Sequence, residues 1–185
     1  MDLVDVVAFG DRIYAAAAGP YIFAYDGKAW DKIERPEFAG AAVFKLWGTS
    51  ADNIVMPISR MNQPISLARY NGRSWGFEDV GPGAGVKIDG ADPDDFWLLS
   101  PQQPYHHDDK GWQPVPAPRQ KLFSLSVGAT NRAVAVGEDG VALVWNGTQW
   151  LGSPTGTTER LLGAFVAPDG AAWIGGARIY RRSLP

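Results

Sequence analysis

The feature that most constrains this chain is a six-residue segment that recurs along it. Three copies, at residues 25–30, 70–75 and 145–150, each consist of an aromatic residue, Asp or Asn, Gly, two variable residues and Trp. A fourth, worn copy, residues 107–112, keeps the Asp and the Trp, and its Gly lies directly before the Trp. A period of this size indicates one supersecondary unit repeated along the chain. The tryptophans of the four copies are 45, 37 and 38 residues apart, and they are Trp30, Trp75, Trp112 and Trp150.

Each copy of the segment predicts a β-hairpin. Asp-Gly and Asn-Gly between apolar runs are strong hairpin signals, because both residue types tolerate positive φ. We therefore place Gly27, Gly72 and Gly147 in turns and expect each tryptophan to open the following strand. A Trp at the same strand position of every unit is typical of packing between units, and the alternative is a ring surface that stacks on carbohydrate.

Clusters of turn-forming residues mark a second turn in each unit. They lie at residues 49–53, 91–95, 129–131 and 167–170, and a short apolar run follows each of them. This pattern of turns predicts four short strands in each of the first four units and three in the fifth. Helices are disfavoured because no apolar 3.6-residue period runs for three turns free of Gly and Pro. The predicted first strands are Val4–Phe9, Val43–Trp47, Val86–Ile88, Leu122–Ser126 and Leu161–Val166.

The repeated four-strand unit predicts an all-β fold, a β-propeller of about five antiparallel blades with an incomplete last blade. We predict a single domain over residues 1–185. We favour a monomeric five-blade ring, which closes either on a three-stranded last blade or through a shifted N-terminal segment, and the alternative is a larger ring made by two subunits. The predicted blades span residues 1–38, 39–82, 83–118, 119–157 and 158–185.

The stretch that begins Arg132-Ala133-Val134-Ala135-Val136-Gly137 and ends at Trp150 resembles bacterial propellers with a tryptophan-rich blade motif. The resemblance covers nearly the whole chain and implies architecture, but no particular function, because such folds host many functions. The turn is also similar to the Asp-box of sialidase-like propellers, Ser-x-Asp-x-Gly-x-x-Trp. Asp26 and Gly27 are adjacent here and no Ser lies two residues before Asp26, so a sialidase-like glycosidase is disfavoured.

The amino-acid composition limits the classes of partner that we expect and indicates where the protein acts. The net charge is −3 and the Lys and Arg residues are scattered, which argues against nucleic acid. The chain has no Cys, which fits a reducing compartment, and no apolar run of bilayer-spanning length. The N-terminus lacks the basic and apolar regions of a signal peptide. We therefore predict a cytoplasmic protein without membrane association.

The chemistry-bearing residues do not form a convincing catalytic or metal site. His106-His107-Asp108-Asp109 contains the two histidines of the chain, but neighbours on a strand point to opposite faces and cannot easily share a metal. Asp89, Asp92, Asp94 and Asp95 are read as a solvated turn rather than a calcium loop. No Ser-His-Asp set can be assembled. We predict no catalytic residue, no metal and no cofactor.

Function is expected on the loops that depart from the repeat. The largest departure, Arg60-Met61-Asn62-Gln63-Pro64, offers a flexible Met and a planar Arg, residue types that are enriched at protein interfaces. The sequence predicts a non-enzymatic protein-binding propeller, such as a bacterial adaptor or a toxin-neutralising immunity protein. A carbohydrate-binding, lectin-like propeller is the alternative. The predicted partner-binding residues are Arg60, Met61, Asn62, Gln63, Arg119, Lys121, Glu159 and Arg160.

Overall fold

The computed structural model describes residues 2–19, 21–85, 87–101, 103–117, 119–129 and 132–183. The predicted all-β class is confirmed: in the described residues the strands form five antiparallel sheets. The two helices recorded there are single 3₁₀ turns, Pro36–Phe38 and Glu138–Gly140. Neither has the length that a membrane crossing requires. The chain divides into two compact units, Met1–Ile88 and Asp89–Pro185.

The first unit contains two sheets, and short Asx- and Gly-bearing turns join strands that neighbour each other along the chain. In the first sheet the strands pair in chain order. Its strands are β1 (Leu3–Phe9), β2 (Arg12–Ala17), β3 (Tyr21–Tyr25) and β4 (Trp30–Ile33). The second sheet is formed by β5 (Ala42–Val43), β6 (Trp47–Ser50), β7 (Asn53–Ser59), β8 (Ile65–Tyr70) and β9 (Trp75–Gly81).

The predicted strand Val43–Trp47 is wrong as a continuous element. Val43 ends β5, Trp47 begins β6 and residues 44–46 lie in no strand, while both strands pair with β7. The interruption has a polar cause, because the backbone N–H of Leu46 points to the carboxylate of Asp5 at 2.6 Å instead of to a strand. Lys45 Nζ lies 3.0 Å from the same carboxylate.

The core of the first unit lies between its two sheets. One face of the first sheet supplies Tyr14, Ala16 and Ile22, and the second sheet supplies residues such as Ile54 and Met56. The Tyr14 hydroxyl donates a hydrogen bond to the carbonyl of Ala51 at 2.9 Å. Burial of this hydroxyl raises the pKa of Tyr14 above its usual range.

The second unit contains the remaining sheets, and the division between units falls within β10. The third sheet has β10 (Lys87–Asp92), β11 (Asp95–Leu99), β12 (Pro104–Asp108) and β13 (Gly111–Pro114). The fourth has β14 (Leu122–Ala129), β15 (Arg132–Gly137), β16 (Ala142–Trp145) and β17 (Trp150–Gly152). The fifth sheet has three strands in the described residues, as predicted: β18 (Gly163–Val166), β19 (Ala171–Gly175) and β20 (Ile179–Ser183).

The predicted first strand of the third unit, Val86–Ile88, is too short. Val86 lies outside the described residues, and β10 continues through Asp89 and Gly90 to Asp92. Asp89 stays in the strand because its carboxylate accepts hydrogen bonds from two backbone N–H groups, those of Gly90 at 3.0 Å and Val127 at 2.9 Å. An isolated Asp has low strand propensity, so the sequence pattern alone indicates a turn here.

Polar side chains on first strands join neighbouring sheets inside each unit. Asp5 of β1 accepts from Leu46, and Asp89 of β10 accepts from Val127 of β14. Ser126 of β14 accepts from Val166 of β18 at 3.1 Å. These bonds satisfy backbone donors that a sheet edge would otherwise leave open, and they connect positions about one repeat apart. We call them the inter-sheet clasps.

Candidate functional site

The repeated hairpins have a common turn, but the Asx residue acts differently from expectation. In the described residues the turn glycines carry the positive φ, 95° at Gly27, 85° at Gly72 and 96° at Gly147, while the preceding Asx residues do not. The Asx side chain instead accepts hydrogen bonds from the turn backbone. Asp26 Oδ1 accepts from the N–H groups of Lys28 and Ala29 at 2.8 and 2.9 Å, and its pKa is lowered by these bonds. Asn71 and Asn146 accept from the corresponding residues of their own turns.

Each hairpin also carries a cross-strand aromatic pair across its turn. Ring centroids are 5.3 Å apart for Tyr25–Trp30, 5.2 Å for Tyr70–Trp75 and 5.6 Å for Trp145–Trp150. In the fourth copy His107 takes the aromatic position, 5.1 Å from Trp112. The predicted opening of a strand by the tryptophan is confirmed for Trp30, Trp75 and Trp150, while Trp112 is the second residue of β13.

The repeat tryptophans differ in exposure, which bears on the carbohydrate alternative. Trp150 is 8% exposed, Trp75 and Trp112 are half-buried, and Trp30 is 51% exposed. A sugar-stacking surface needs an accessible ring face, and Trp150 offers none. Among the repeat tryptophans, a carbohydrate-binding function would therefore rest mainly on Trp30.

The two histidines point to opposite faces of β12, as predicted. His106 stacks on Trp97 with ring centroids 4.1 Å apart, and its Nε2 lies 2.8 Å from Asp95 Oδ1. His107 stacks on Phe96 on the other face at 4.6 Å. Each ring is thus packed against an aromatic neighbour. No group of three or more potential metal ligands comes together among the described residues, and the absence of a metal remains a prediction.

The acidic residues of the third sheet surround an open hollow of about 660 Å³. Asp92 acts within its own turn, where its Oδ1 accepts the N–H of Asp94 at 2.8 Å. Asp108 does the same for Lys110 at 2.8 Å. The Asp92 bond agrees with the predicted Asx turn at residues 92–95, whereas the prediction is wrong for Asp89, which lies in β10 and accepts the Val127 N–H. The residues that line the hollow are Asp92, Asp94, Asp95, His107, Asp108, Asp109 and Gly111.

The predicted partner loop Arg60–Gln63 forms a tight turn between β7 and β8, which we call the Met61 turn. The N–H of Gln63 donates to the carbonyl of Arg60 at 3.3 Å, and Asn62 adopts the left-handed conformation with φ 59°. The Arg60 guanidinium donates to the carbonyl of Glu37 in the first 3₁₀ turn. Met61 at the tip is 89% exposed. The structure therefore presents one large apolar side chain on an anchored turn.

The predicted residues of the second unit lie on segments that meet at the 3₁₀ turn Glu138–Gly140. The N–H of Glu138 donates to the carbonyl of Lys121 at 2.9 Å, and the N–H of Leu161 donates to that of Gly137 at 2.9 Å. Thr155 Oγ1 donates to the carbonyl of Gly140 at 2.8 Å. These bonds bring the backbones that carry Lys121 and Arg160 to one place. The side chains of Arg119, Lys121, Glu159 and Arg160 are exposed there.

One class of residue was missed by sequence reasoning, the third residue of the second strand in a sheet. Tyr14 of β2 packs on Tyr70 of the next sheet, and Trp97 of β11 packs on Trp145 and Trp150 of the next sheet. Trp173 has the same position in β19. A signal was present in the sequence, because Trp97 and Trp173 each follow a predicted turn cluster within three residues.

Comparison with known proteins supports the fold. No protein-family model matches the sequence, and no curated protein matches it. Among solved structures, YCF48 bound to D1 peptide is similar over 97% of this chain and 62% of its own, with a TM-score of 0.72 and 17% identity. The WD40 β-propeller domain of Doa1 is similar over 98% of this chain and 65% of its own, with a TM-score of 0.76 and 10% identity.

An enzyme is also among the similar structures. Virginiamycin B lyase from Staphylococcus aureus, solved with quinupristin, matches 98% of this chain and 69% of its own, with a TM-score of 0.69 and 10% identity. At these identities the likeness shows the fold alone, and that fold is the predicted β-propeller. The chain spans less than two thirds of the length of YCF48 and of the Doa1 domain.

Proposed function

We propose that this chain is a non-enzymatic propeller that binds another protein or a peptide, and that the Met61 turn is its principal contact. The observation that carries the proposal is the 89% exposure of Met61 at the tip of an anchored turn. An isolated apolar side chain of this size gains free energy when a partner covers it. Arg and Met are residue types that interfaces favour.

The anchoring of the turn supports a binding role. Arg60 is bound to the carbonyl of Glu37, and Gln63 is bound to Arg60 within the turn. Because the turn is held before a partner arrives, binding orders less backbone and loses less conformational entropy. The left-handed Asn62 gives the turn its direction, and Asn tolerates that conformation better than most residues.

The chemistry of the turn suggests the kind of partner. A flexible thioether adapts to an apolar recess of irregular shape, and the exposed amides of Asn62 and Gln63 offer donors and acceptors around it. A segment with one apolar recess or side chain and a polar surround fits this arrangement. YCF48, which is similar in fold, has been solved with a bound D1 peptide.

The exposed charges near the 3₁₀ turn Glu138–Gly140 form a second, smaller contact in this proposal. Arg119, Lys121 and Arg160 are positive, whereas Glu159 and the turn's own Glu138 and Asp139 are negative. The contact is therefore mixed in charge and can pair with groups of either sign on a partner. We propose that the protein acts in the bacterial cytoplasm as an adaptor or a toxin-neutralising partner. The sequence has no Cys, which fits a reducing compartment, and the described residues assemble no catalytic set.

Site-specific photo-crosslinking tests the proposal. A photoreactive residue at position 61 should capture one stoichiometric protein from the source lysate, and the same residue at position 151 is the matched control. Leu151 is exposed but lies on β17, outside the Met61 turn. The captured partner should then bind Met61→Asp at least about tenfold more weakly than the unmodified chain.

The folded state should not change in this variant, because a substitution at a fully exposed position usually alters stability by less than about 0.5 kcal/mol. Equal capture from positions 61 and 151, or capture of no stoichiometric protein from either, would reject the Met61 turn as the contact. A partner that binds Met61→Asp as tightly as the unmodified chain would do the same.

A further inference from the structure

Neighbouring sheets inside each unit follow one packing rule. A sheet presents the third residue of its second strand to the following sheet, and that sheet presents the aromatic pair of its hairpin in return. Tyr14 lies 6.3 Å from Tyr70 in the first unit, measured between ring centroids. Trp97 lies 4.9 Å from Trp145 and 5.1 Å from Trp150 in the second unit. Each sheet thus has a forward face and a backward face.

The fifth sheet has a forward face with exposed large apolar side chains, and the Arg181 guanidinium lies over one of them, 5.7 Å from the centroid of the Trp173 ring. Trp173, the third residue of β19, is 42% exposed, and its cross-strand partner Phe165 is 57% exposed. Ile179 of β20 lies beside them, and together they line an apolar hollow of about 270 Å³. The backward face of the same sheet is packed, with Ala172 and Ile174 in the core shared with the fourth sheet.

The backward face of the first sheet also has exposed large apolar side chains. Its hairpin pair is Tyr25–Trp30, and Trp30 is 51% exposed. Leu3, Ala15, Phe23 and Trp30 line a hollow of about 220 Å³ with an entirely apolar surface. The forward face of this sheet is packed, with Tyr14 and Ala16 in the core of the first unit.

We propose that the forward face of the fifth sheet in one copy of this chain binds the backward face of the first sheet in a second copy. Trp173 of one copy then packs on the Tyr25–Trp30 pair of the next, as Trp97 packs on Trp145 and Trp150 within the chain. The contact continues an interface that the chain already builds between its own sheets. It is head-to-tail, because the two faces belong to different sheets.

The packing rule favours this pairing over a face binding its own copy, because inside each unit a forward face packs on a backward face. Charge does not select the partner. Lys32 is in register with the backward face of the first sheet and is paired with Glu34. Arg181 is in register with the forward face of the fifth sheet and is paired with Asp169.

The forward face of the fifth sheet has an aromatic ring where the fourth sheet has an inter-sheet clasp. Phe165 lies opposite the third residue of the second strand, the position that Ser126 holds in the fourth sheet. Ser126 supports an inter-sheet clasp to Val166, and Phe165 replaces that clasp with an aromatic ring. A reversible contact between copies then depends mainly on covering Phe165 and Trp173.

Sedimentation velocity with charge-bearing variants tests the proposal. The unmodified chain should associate between about 1 and about 100 μM. Trp173→Glu and Trp30→Glu should each weaken self-association at least about tenfold, because each places a charge in one of the two faces. Leu151→Glu, an exposed apolar position outside both faces, is the matched control and should associate like the unmodified chain.

A mixture of the two variants distinguishes the arrangement. Trp30→Glu retains the unmodified forward face of the fifth sheet, and Trp173→Glu retains the unmodified backward face of the first sheet. An equimolar mixture should therefore form a one-to-one complex that grows no further. An unmodified chain that stays monomeric at about 100 μM overturns the proposal. Self-association of either single variant at unmodified strength overturns it as well, as does a mixture that forms no complex.

Discussion

The hairpins around Gly27 and Gly147 have the same local structure in different surroundings. Both have an Asx side chain that accepts two backbone N–H groups, a glycine with φ near 95° and an aromatic pair about 5.5 Å across. Trp30 is nevertheless half exposed, while Trp150 is buried against Trp97 of the preceding sheet. The difference shows that the turn sequence specifies the hairpin and that a neighbouring sheet decides what the tryptophan does.

The buried hairpin also contains a feature that the exposed one lacks. The indole nitrogens of Trp97 and Trp150 are buried and have no hydrogen-bond partner among the described residues. A buried unpaired donor costs stability, so the packing of the rings must offset that cost. Burial of the large apolar ring of Trp150 therefore contributes more free energy than its unpaired N–H group costs.

Removal of the tryptophan indole should give the largest difference in stability loss between the two hairpins. Trp150→Ala should lower the free energy of unfolding by about 3–5 kcal/mol, because it leaves a cavity among Trp97, Trp145 and His106. Trp30→Ala should lower it by about 1 kcal/mol or less, the scale of one exposed cross-strand pair. Urea unfolding at a concentration where the chain is monomeric measures both. Equal losses at the two positions would contradict the assigned burial.

Substitution of the turn glycine should destabilise the two hairpins by similar amounts. Gly147→Ala and Gly27→Ala should each cost about 1–2 kcal/mol, because alanine is strained at positive φ wherever the turn lies. The same urea experiment measures both, and the alanine substitution of Gly152, which has open space around it and no positive φ, is the control. A much larger loss at Gly147 than at Gly27 would mean that burial also governs the turn.

The smallest expected effect concerns the pH dependence of stability that Asp26 contributes at the first of the two hairpins. Hydrogen bonds from Ala29 and Lys28 hold the pKa of Asp26 below its usual value. The carboxylate therefore adds stability above the ordinary pKa of Asp, and this contribution is lost as the pH falls through the lowered pKa. Asp26→Asn should keep the turn, since Asn71 and Asn146 make the same bonds, and should remove that part of the acid sensitivity.

Urea unfolding from neutral pH down to about pH 3 compares the two chains. The stability of the unmodified chain should fall slightly more steeply than that of Asp26→Asn. Asn146→Asp is the converse variant, and it should introduce a similar small dependence at the other hairpin. Parallel pH profiles for all three chains would show that Asp26 does not contribute.

Much of the fold could be predicted from the repeat, and the errors have specific causes. The hairpins at Gly27, Gly72 and Gly147 were predicted because they depend on residues close in the chain. The interruption between β5 and β6 was not, because it depends on Asp5, about forty residues away. The extension of β10 through Asp89 was missed for the same reason, since its carboxylate is bound to Val127.

The candidate site was predicted only in part. Arg60–Gln63 was recognised as a departure from the repeat, but its anchoring to Glu37 depends on a contact between separate loops. Lys121 and Arg160 were chosen as loop charges, and the hydrogen bonds at Gly137 and Glu138 that bring their segments together have no sequence signal. The forward faces of the sheets were overlooked because periodicity shows that a residue is on a face but does not show what covers it.

The sequence by itself determined the local units of this protein: turns that only glycine adopts easily, Asx residues that bind their own backbone and aromatics on either side of them. These depend on residues within a few positions of each other. The tertiary structure alone decided which of those aromatics are covered, because burial depends on the sheet that lies opposite. Trp150 has such a sheet within its own unit, and Trp30 does not.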